Sequence, residues 1–168
     1  MIRSNICLNA HPVGCAKEVE NQIAFVKAQN TKRGRTPGSP ISGGSHAGGE
    51  TAPLKAVLVV GCSTGYGLAS RITASFGYGA ATVGVSYENE GTETKSGTPG
   101  WYNNLAFDRA AGNAGIPSIT INGDAFSDKV RAEVIEAGKK FGITFDLVVY
   151  SLASPVRTDP DTGELYRS

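Results

Sequence analysis

The stretch that most constrains this chain is Ala56-Val57-Leu58-Val59-Val60, which runs directly into Gly61-Cys62-Ser63-Thr64-Gly65-Tyr66-Gly67. Five apolar residues in a row leave no polar face, as expected of a parallel strand covered on both sides. The glycines that follow have three separate uses: a sharp turn out of the strand, a close approach of backbone to a ligand, and tight packing of the next helix on the strand. A helix is predicted over 65–76, with Leu68 and Ile72 on its inner face. Its N-terminus offers free N–H groups and the positive end of a dipole to an anion such as a pyrophosphate, and Ser63 and Thr64 add hydroxyl donors. Glycine supplies 22 of 168 residues, so a G-x-x-x-G-x-G pattern alone carries little. Its strand–turn–helix setting favours a phosphate cradle over a plain tight turn.

The same alternation continues downstream. Residues 81–87 read as a second strand, 89–100 as a polar loop, 101–114 as a helix and 117–121 as a third strand. A helix N-capped by Ser127 follows, with Val130, Val134 and Phe141 on one face, and 145–151 form a fourth strand. This pattern predicts an α/β fold with a parallel sheet and right-handed crossovers. Its strand order would be 3-2-1-4, the opening of a Rossmann-type doubly wound parallel sheet of the short-chain dehydrogenase kind, truncated after about four strands. The tail from Ser154 to Ser168 has turn signals at Asp159-Pro160 and Thr162-Gly163 and is expected to add no further strand–helix unit. The fourth strand is then an edge, and the 168-residue chain is expected to be poorly stable by itself. Upstream, 2–8 read as a short strand, and Val19, Ile23 and Val26 mark a helix that fades near Asn30. Residues 31–53 are rich in Gly, Ser and Pro and read as a flexible insertion with an exposed His46. The chain thus divides into 1–30, 31–53 and 54–168.

Five further positions fit a dinucleotide. Glu88 lies 21 residues beyond Gly67, at the end of the second strand, where a carboxylate holds the adenosine ribose 2′-OH and repels a 2′-phosphate. NADH is therefore expected in preference to NADPH. Asp124-Ala125 and Leu152-Ala153 follow the third and fourth strands, at the sheet end where ligands bind in open α/β folds. Asp124 suits the adenine amino group, and Leu152 and Ala153 suit the crevice near the ribose and nicotinamide. A turn-forming role for Asp124 and a core role for Leu152 compete with these assignments. Cys7, His11 and Cys15 recur every four residues, but a structural zinc site needs four ligands, and Pro12 is expected to break any helix that would align them. No metal is expected, and the cysteines read as small buried hydrophobes.

Sixteen basic and fifteen acidic residues argue against a nucleic-acid or anionic-membrane partner. Three cysteines imply no disulfide framework. The first residues lack the apolar core of a signal peptide, and no apolar run reaches the ~18 residues of a membrane span, so a cytoplasmic location is expected. Reductases of this architecture polarise their substrate with a Tyr whose pKa a nearby Lys lowers. Tyr87 and Lys95 come nearest to such a pair but fall in the adenosine-side loop. The isolated chain is therefore expected to be catalytically inactive.

The segments Ala10-His11-Pro12-Val13-Gly14-Cys15, Gly61 to Ile72, Gly100-Trp101-Tyr102-Asn103, Ile121 to Asp128 and Val148 to Pro160 closely resemble the trans-2-enoyl-CoA reductase family, the FabV-type enoyl-(acyl-carrier-protein) reductases. The resemblance covers almost the whole chain in register. It implies a monomeric, NADH-dependent enzyme that reduces the trans-2 double bond of an enoyl-CoA or enoyl-ACP thioester in fatty acid synthesis. It also implies NAD contacts from Gly61, Cys62, Ser63, Thr64, Gly65 and Tyr66, from Tyr87 and Glu88, from Asp124 and Ala125, and from Leu152 and Ala153. Tyr87 stands where the family commonly has Phe. The family's catalytic Tyr and Lys, eight residues apart, are expected beyond Ser168. A generic short-chain dehydrogenase or a non-catalytic nucleotide-binding fragment would share the glycine loop and Glu88. Neither is expected to carry the Gly-Trp-Tyr-Asn and Ser-Pro-x-Arg-Thr-Asp-Pro segments.

Overall fold

The computed structural model describes residues 2–3, 6–7, 10–37, 53–142, 144–154 and 156–167. Its first element is a small antiparallel pair, β1 (Ile2–Arg3) against β2 (Ile6–Cys7), in place of one strand over 2–8. Helix α1 (Pro12–Lys32) follows. Here the sequence reading needs correction: Pro12 opens the helix instead of breaking it. Proline suits the first helical position, because its missing N–H would have had no partner there. His11 is the N-cap, its Nδ1 accepting the Gly14 N–H at 3.0 Å. The helix also extends two residues into the predicted insertion. Most of that insertion, His46 included, lies outside the described residues, as does the side chain of Cys7.

Strand β3 (Ala56–Val60) leads into α2 (Gly65–Ile72), which continues as a π-helical turn over Thr73–Gly77. Then come β4 (Ala81–Ser86), α3 (Pro99–Asn113), β5 (Ser118–Asn122), α4 (Asp128–Phe141) and β6 (Leu147–Tyr150). The four longer strands are parallel, in the order β5-β4-β3-β6. This is the predicted 3-2-1-4 order of a Rossmann-like sheet. Ser127 caps α4 as expected, its hydroxyl accepting the Val130 N–H. The tail adds no strand–helix unit among the described residues, but β7 (Val156–Thr158) and β8 (Leu165–Arg167), which the sequence reading did not foresee, pair as an antiparallel hairpin around the predicted turn.

The two faces of the sheet differ in cover. On one, Val19 and Ile23 of α1 join Leu68, Ile72, Phe76, Phe107 and Ala111 in a single apolar cluster, with Val26 packed against it. On the other, α4 sets Val130 and Ala137 against Val83, Val85 and Ile121. The cover stops short of β6. Val57 and Val59 are fully buried, but Leu58 and Val60 on the α4 side are half-buried, and Val148 on β6 is 56% exposed. Asp146 anchors this edge, its Oδ2 accepting the N–H groups of Lys55 and Ala56 at 2.7 and 2.9 Å. Those two bonds hold its carboxyl below the usual aspartate range. Among the described residues no helix is long and apolar enough to cross a membrane.

Candidate cofactor cleft

A cleft of about 720 Å³ opens at the carboxyl ends of β3, β4, β5 and β6. It is the crevice that parallel α/β sheets leave where strand order reverses about the first strand. Gly61, Ser63, Thr64, Gly65 and Tyr66 line it from the loop after β3, Tyr87 and Glu88 from the end of β4, Asp124 and Ala125 from beyond β5, and Leu152 and Ala153 from beyond β6. Eleven of the twelve predicted contact residues therefore meet in one place.

Cys62 is the exception. Its side chain is fully buried and turned to the core, with Sγ near Asn104 Oδ1 at 3.6 Å and Arg71 Nη1 at 3.8 Å. Burial pushes its thiol pKa up. Cys15 is only half-buried, so the expectation of buried cysteines holds for Cys62 but not fully for Cys15. Among the described residues no three His, Cys, Asp or Glu side chains gather where a metal ion would fit.

The glycines divide their work as follows. Gly61 has φ +86°, and a Cβ there would lie 2.1 Å from the Ser151 carbonyl oxygen. It thus makes both the turn and the contact with the chain leaving β6. A Cβ on Gly67 would lie 1.8 Å from the Gly61 carbonyl oxygen, so this glycine seats α2 on β3. Gly65, with φ +53°, has nothing within 4 Å of its Cβ position; it presents bare backbone to the cleft. The loop backbone is tied to β4, the N–H groups of Gly61 and Cys62 both donating to the Val85 carbonyl, at 2.8 and 3.0 Å.

Glu88 is held from several directions. Asn122 accepts its N–H at 2.8 Å and donates to its carbonyl at 2.9 Å. Its carboxylate receives the hydroxyls of Ser63 and Thr98, each at 2.5 Å. Asp124 does form a turn, Oδ1 accepting the Phe126 N–H at 2.9 Å, while the same residue lines the cleft. The two readings of Asp124 are therefore compatible. Tyr66 and Tyr87 are 88% and 81% exposed and stand at the cleft as two open aromatic faces.

Sequence reasoning missed the residues that support this loop from behind. Asn103 on α3 donates to the Ser63 carbonyl at 2.9 Å, and Asn104 donates to the Ser86 hydroxyl at 2.8 Å. The only sequence signal was the Gly-Trp-Tyr-Asn segment, which ends at Asn103 and is followed by Asn104. Val156 and Thr158 on the unforeseen hairpin also line the cleft, and Arg157 lies over the Phe126 ring at 5.1 Å.

Residues 1–93 match the family described as the NAD(P)H binding domain of trans-2-enoyl-CoA reductase. This chain belongs to that family. Residues 95–168 match the catalytic region of trans-2-enoyl-CoA reductase. The chain is 62% identical over 168 residues to the trans-2-enoyl-CoA reductase (NADH) of Treponema denticola, covering 100% of this chain and 39% of that protein. It is 54% identical over 167 residues to the enoyl-(acyl-carrier-protein) reductase (NADH) of Colwellia psychrerythraea, covering 99% of this chain and 38% of that protein. The crystal structure of the Treponema denticola reductase in complex with NAD superposes with a TM-score of 0.86, covering 100% of this chain and 39% of that one. The chain thus spans about two-fifths of the length of these relatives. Family membership sets aside the generic short-chain dehydrogenase.

Proposed function

We propose that this chain forms the NADH-binding portion of a reductase that saturates the trans-2 double bond of enoyl-CoA or enoyl-ACP thioesters in fatty acid synthesis. The observation that carries the reading is the convergence of the glycine loop, Glu88, Asp124 and Leu152 on one cleft at the carboxyl end of the sheet. The cleft fits a dinucleotide: its glycine loop exposes backbone at Gly65, and its far side holds a carboxylate within reach of two hydroxyl donors. Gly61, Ser63, Thr64 and Gly65 would receive the pyrophosphate, with Cys62 contributing backbone alone. Tyr87 and Glu88 would hold the adenosine ribose, Asp124 and Ala125 the adenine, and Leu152 and Ala153 the nicotinamide side. The bound cofactor supplies the hydride. Residues 54–168 are then part of the nucleotide-binding domain, with α1 packed into the same core. The full-length reductase works as a cytoplasmic monomer.

Two measurements test this reading. Glu88→Arg in the full-length reductase is expected to lower the NADH-over-NADPH preference about 100-fold, because a ribose contact is lost and a repulsion becomes an attraction. Unchanged selectivity in steady-state kinetics would remove Glu88 from the ribose site. Separately, crotonyl-CoA should be reduced with NADH by the full-length reductase and not by the 168-residue chain. Turnover by the chain alone, followed at 340 nm, would place the proton donor among residues here read as cofactor scaffold.

A further inference from the structure

Thr98 is the N-cap of α3, with φ −71° and ψ 154°. A threonine in that place ordinarily turns its oxygen back to accept an N–H of the first helical turn. Here it makes no such bond. Its Oγ1 instead donates to Glu88 Oε2 at 2.5 Å and accepts the Asn89 N–H at 3.2 Å. A hydroxyl has one hydrogen to give, so the 3.3 Å approach to the Asn89 carbonyl is secondary to the carboxylate. On the opposite side Ser63 donates to Oε1 at 2.5 Å. Gly100 closes the third side: a Cβ there would stand 2.1 Å from Oε1 and 2.4 Å from the carboxyl carbon. The start of α3 is thus shaped around the Glu88 carboxylate at the expense of its own capping.

We propose that Thr98 is a specificity-determining residue for the nucleotide, acting through Glu88, with Gly100 leaving the space that Glu88 needs. The inference rests on the reading that Glu88 faces the adenosine ribose. A carboxylate offers about four acceptor positions, and two hydroxyl donors leave room for a ribose diol. Selection against a 2′-phosphate requires more than a negative charge nearby. It requires a charge that cannot swing aside, since a free glutamate would rotate into solvent and admit the phosphate. Thr98 and Ser63, pulling on different oxygens, remove that rotation. Thr98 is thereby a positioning residue whose effect falls on cofactor choice rather than on the reaction step.

The test is steady-state kinetics of the full-length reductase with crotonyl-CoA and either NADH or NADPH. Thr98→Val keeps the shape and removes the hydroxyl. It is expected to raise the KM for NADH, leave kcat within about twofold, and lower the NADH-over-NADPH ratio about tenfold, the size of one hydrogen bond to a charged group. Thr98→Ser should restore the ratio. Gly100→Ala, which displaces the carboxylate instead of unhooking it, should lower the ratio by a similar factor and serves if Thr98→Val does not fold. Equal weakening of both nucleotides by Thr98→Val would reduce Thr98 to a structural role and overturn the inference. So would an unchanged ratio in Thr98→Val and Gly100→Ala while Glu88→Gln lowers it, which leaves the site reading standing. An unchanged ratio in all of these variants would overturn both.

Discussion

Gly67→Ala is expected to abolish NADH binding and most of the fold's cooperativity, because among the described glycines its added Cβ makes the closest approach to another atom. The added Cβ would meet the Gly61 carbonyl oxygen at 1.8 Å and its carbon at 2.8 Å. Both are backbone atoms in a loop already held by two hydrogen bonds to Val85, so no side chain can rotate away. Helix α2 must lift off β3, and Leu68 and Ile72 leave the cluster with Val19, Phe76 and Phe107. Overpacking ordinarily costs about 1–3 kcal/mol; against backbone atoms that cannot rotate away the cost lies at or above that range, within a total stability of about 5–15 kcal/mol. Calorimetric titration of the full-length reductase should show NADH affinity reduced about 100-fold or more. Gly65→Val is the informative contrast. Its Cβ meets nothing within 4 Å, and its positive φ costs a branched side chain about 1–2 kcal/mol. That variant is expected to fold and still fail to bind, because its side chain stands in the cleft. Near-native affinity in Gly65→Val would mean that this part of the loop is a turn and no more.

Arg71→Met is expected to destabilise the protein by about 3 kcal/mol. Arg71 is fully buried, its guanidinium 4.2 Å over the Phe107 ring. It donates to Thr120 Oγ1 at 2.8 Å, Ser118 Oγ at 2.9 Å, the Ile119 carbonyl at 3.0 Å and Thr82 Oγ1 at 3.3 Å, and pairs with Asp108 at 3.2 Å. Breaking a buried pair by removing one partner costs about 3–5 kcal/mol, because the other charge is left uncompensated. Asp108 keeps 36% of its side chain exposed and retains the Ser118 and Thr120 hydroxyls. Water and those donors hold the loss to the low end of the range. Urea denaturation gives the value. A cycle with Asp108→Asn should show the double variant losing clearly less than the sum of the two single changes; strict additivity would dissolve the pair.

The parallel sheet, its 3-2-1-4 order and the crevice at its carboxyl end were all legible in the sequence, for a local reason. Apolar runs such as Ala56–Val60, a capping serine before Val130, and glycines placed straight after a strand each act on neighbouring backbone, and their consequences can be followed without knowing what lies across the sheet. That Glu88, Asp124 and Leu152 line the crevice was readable because each lies just past a strand, and strand ends in a parallel sheet share one edge. Other features were set by partners distant in sequence. An arginine in a helix reads as a solvent-facing residue, yet Arg71 is buried because β4 and β5 turn Thr82, Gly84, Ser118 and Thr120 toward it. A Cβ on Gly84 would lie 2.7 Å from both the Arg71 guanidinium carbon and Cys62 Sγ, so the strand's glycine is explained by side chains from other elements. Cys62 sits inside the loop motif, but packing against Asn104 and Arg71 decided that its thiol faces the core. In sequence Thr98 falls inside the polar loop read over 89–100, and nothing singles it out. Only the fold, by bringing the start of α3 against the end of β4, turned its single hydroxyl hydrogen to Glu88 Oε2, because a hydrogen bond to a charged acceptor is stronger than one to a neutral group.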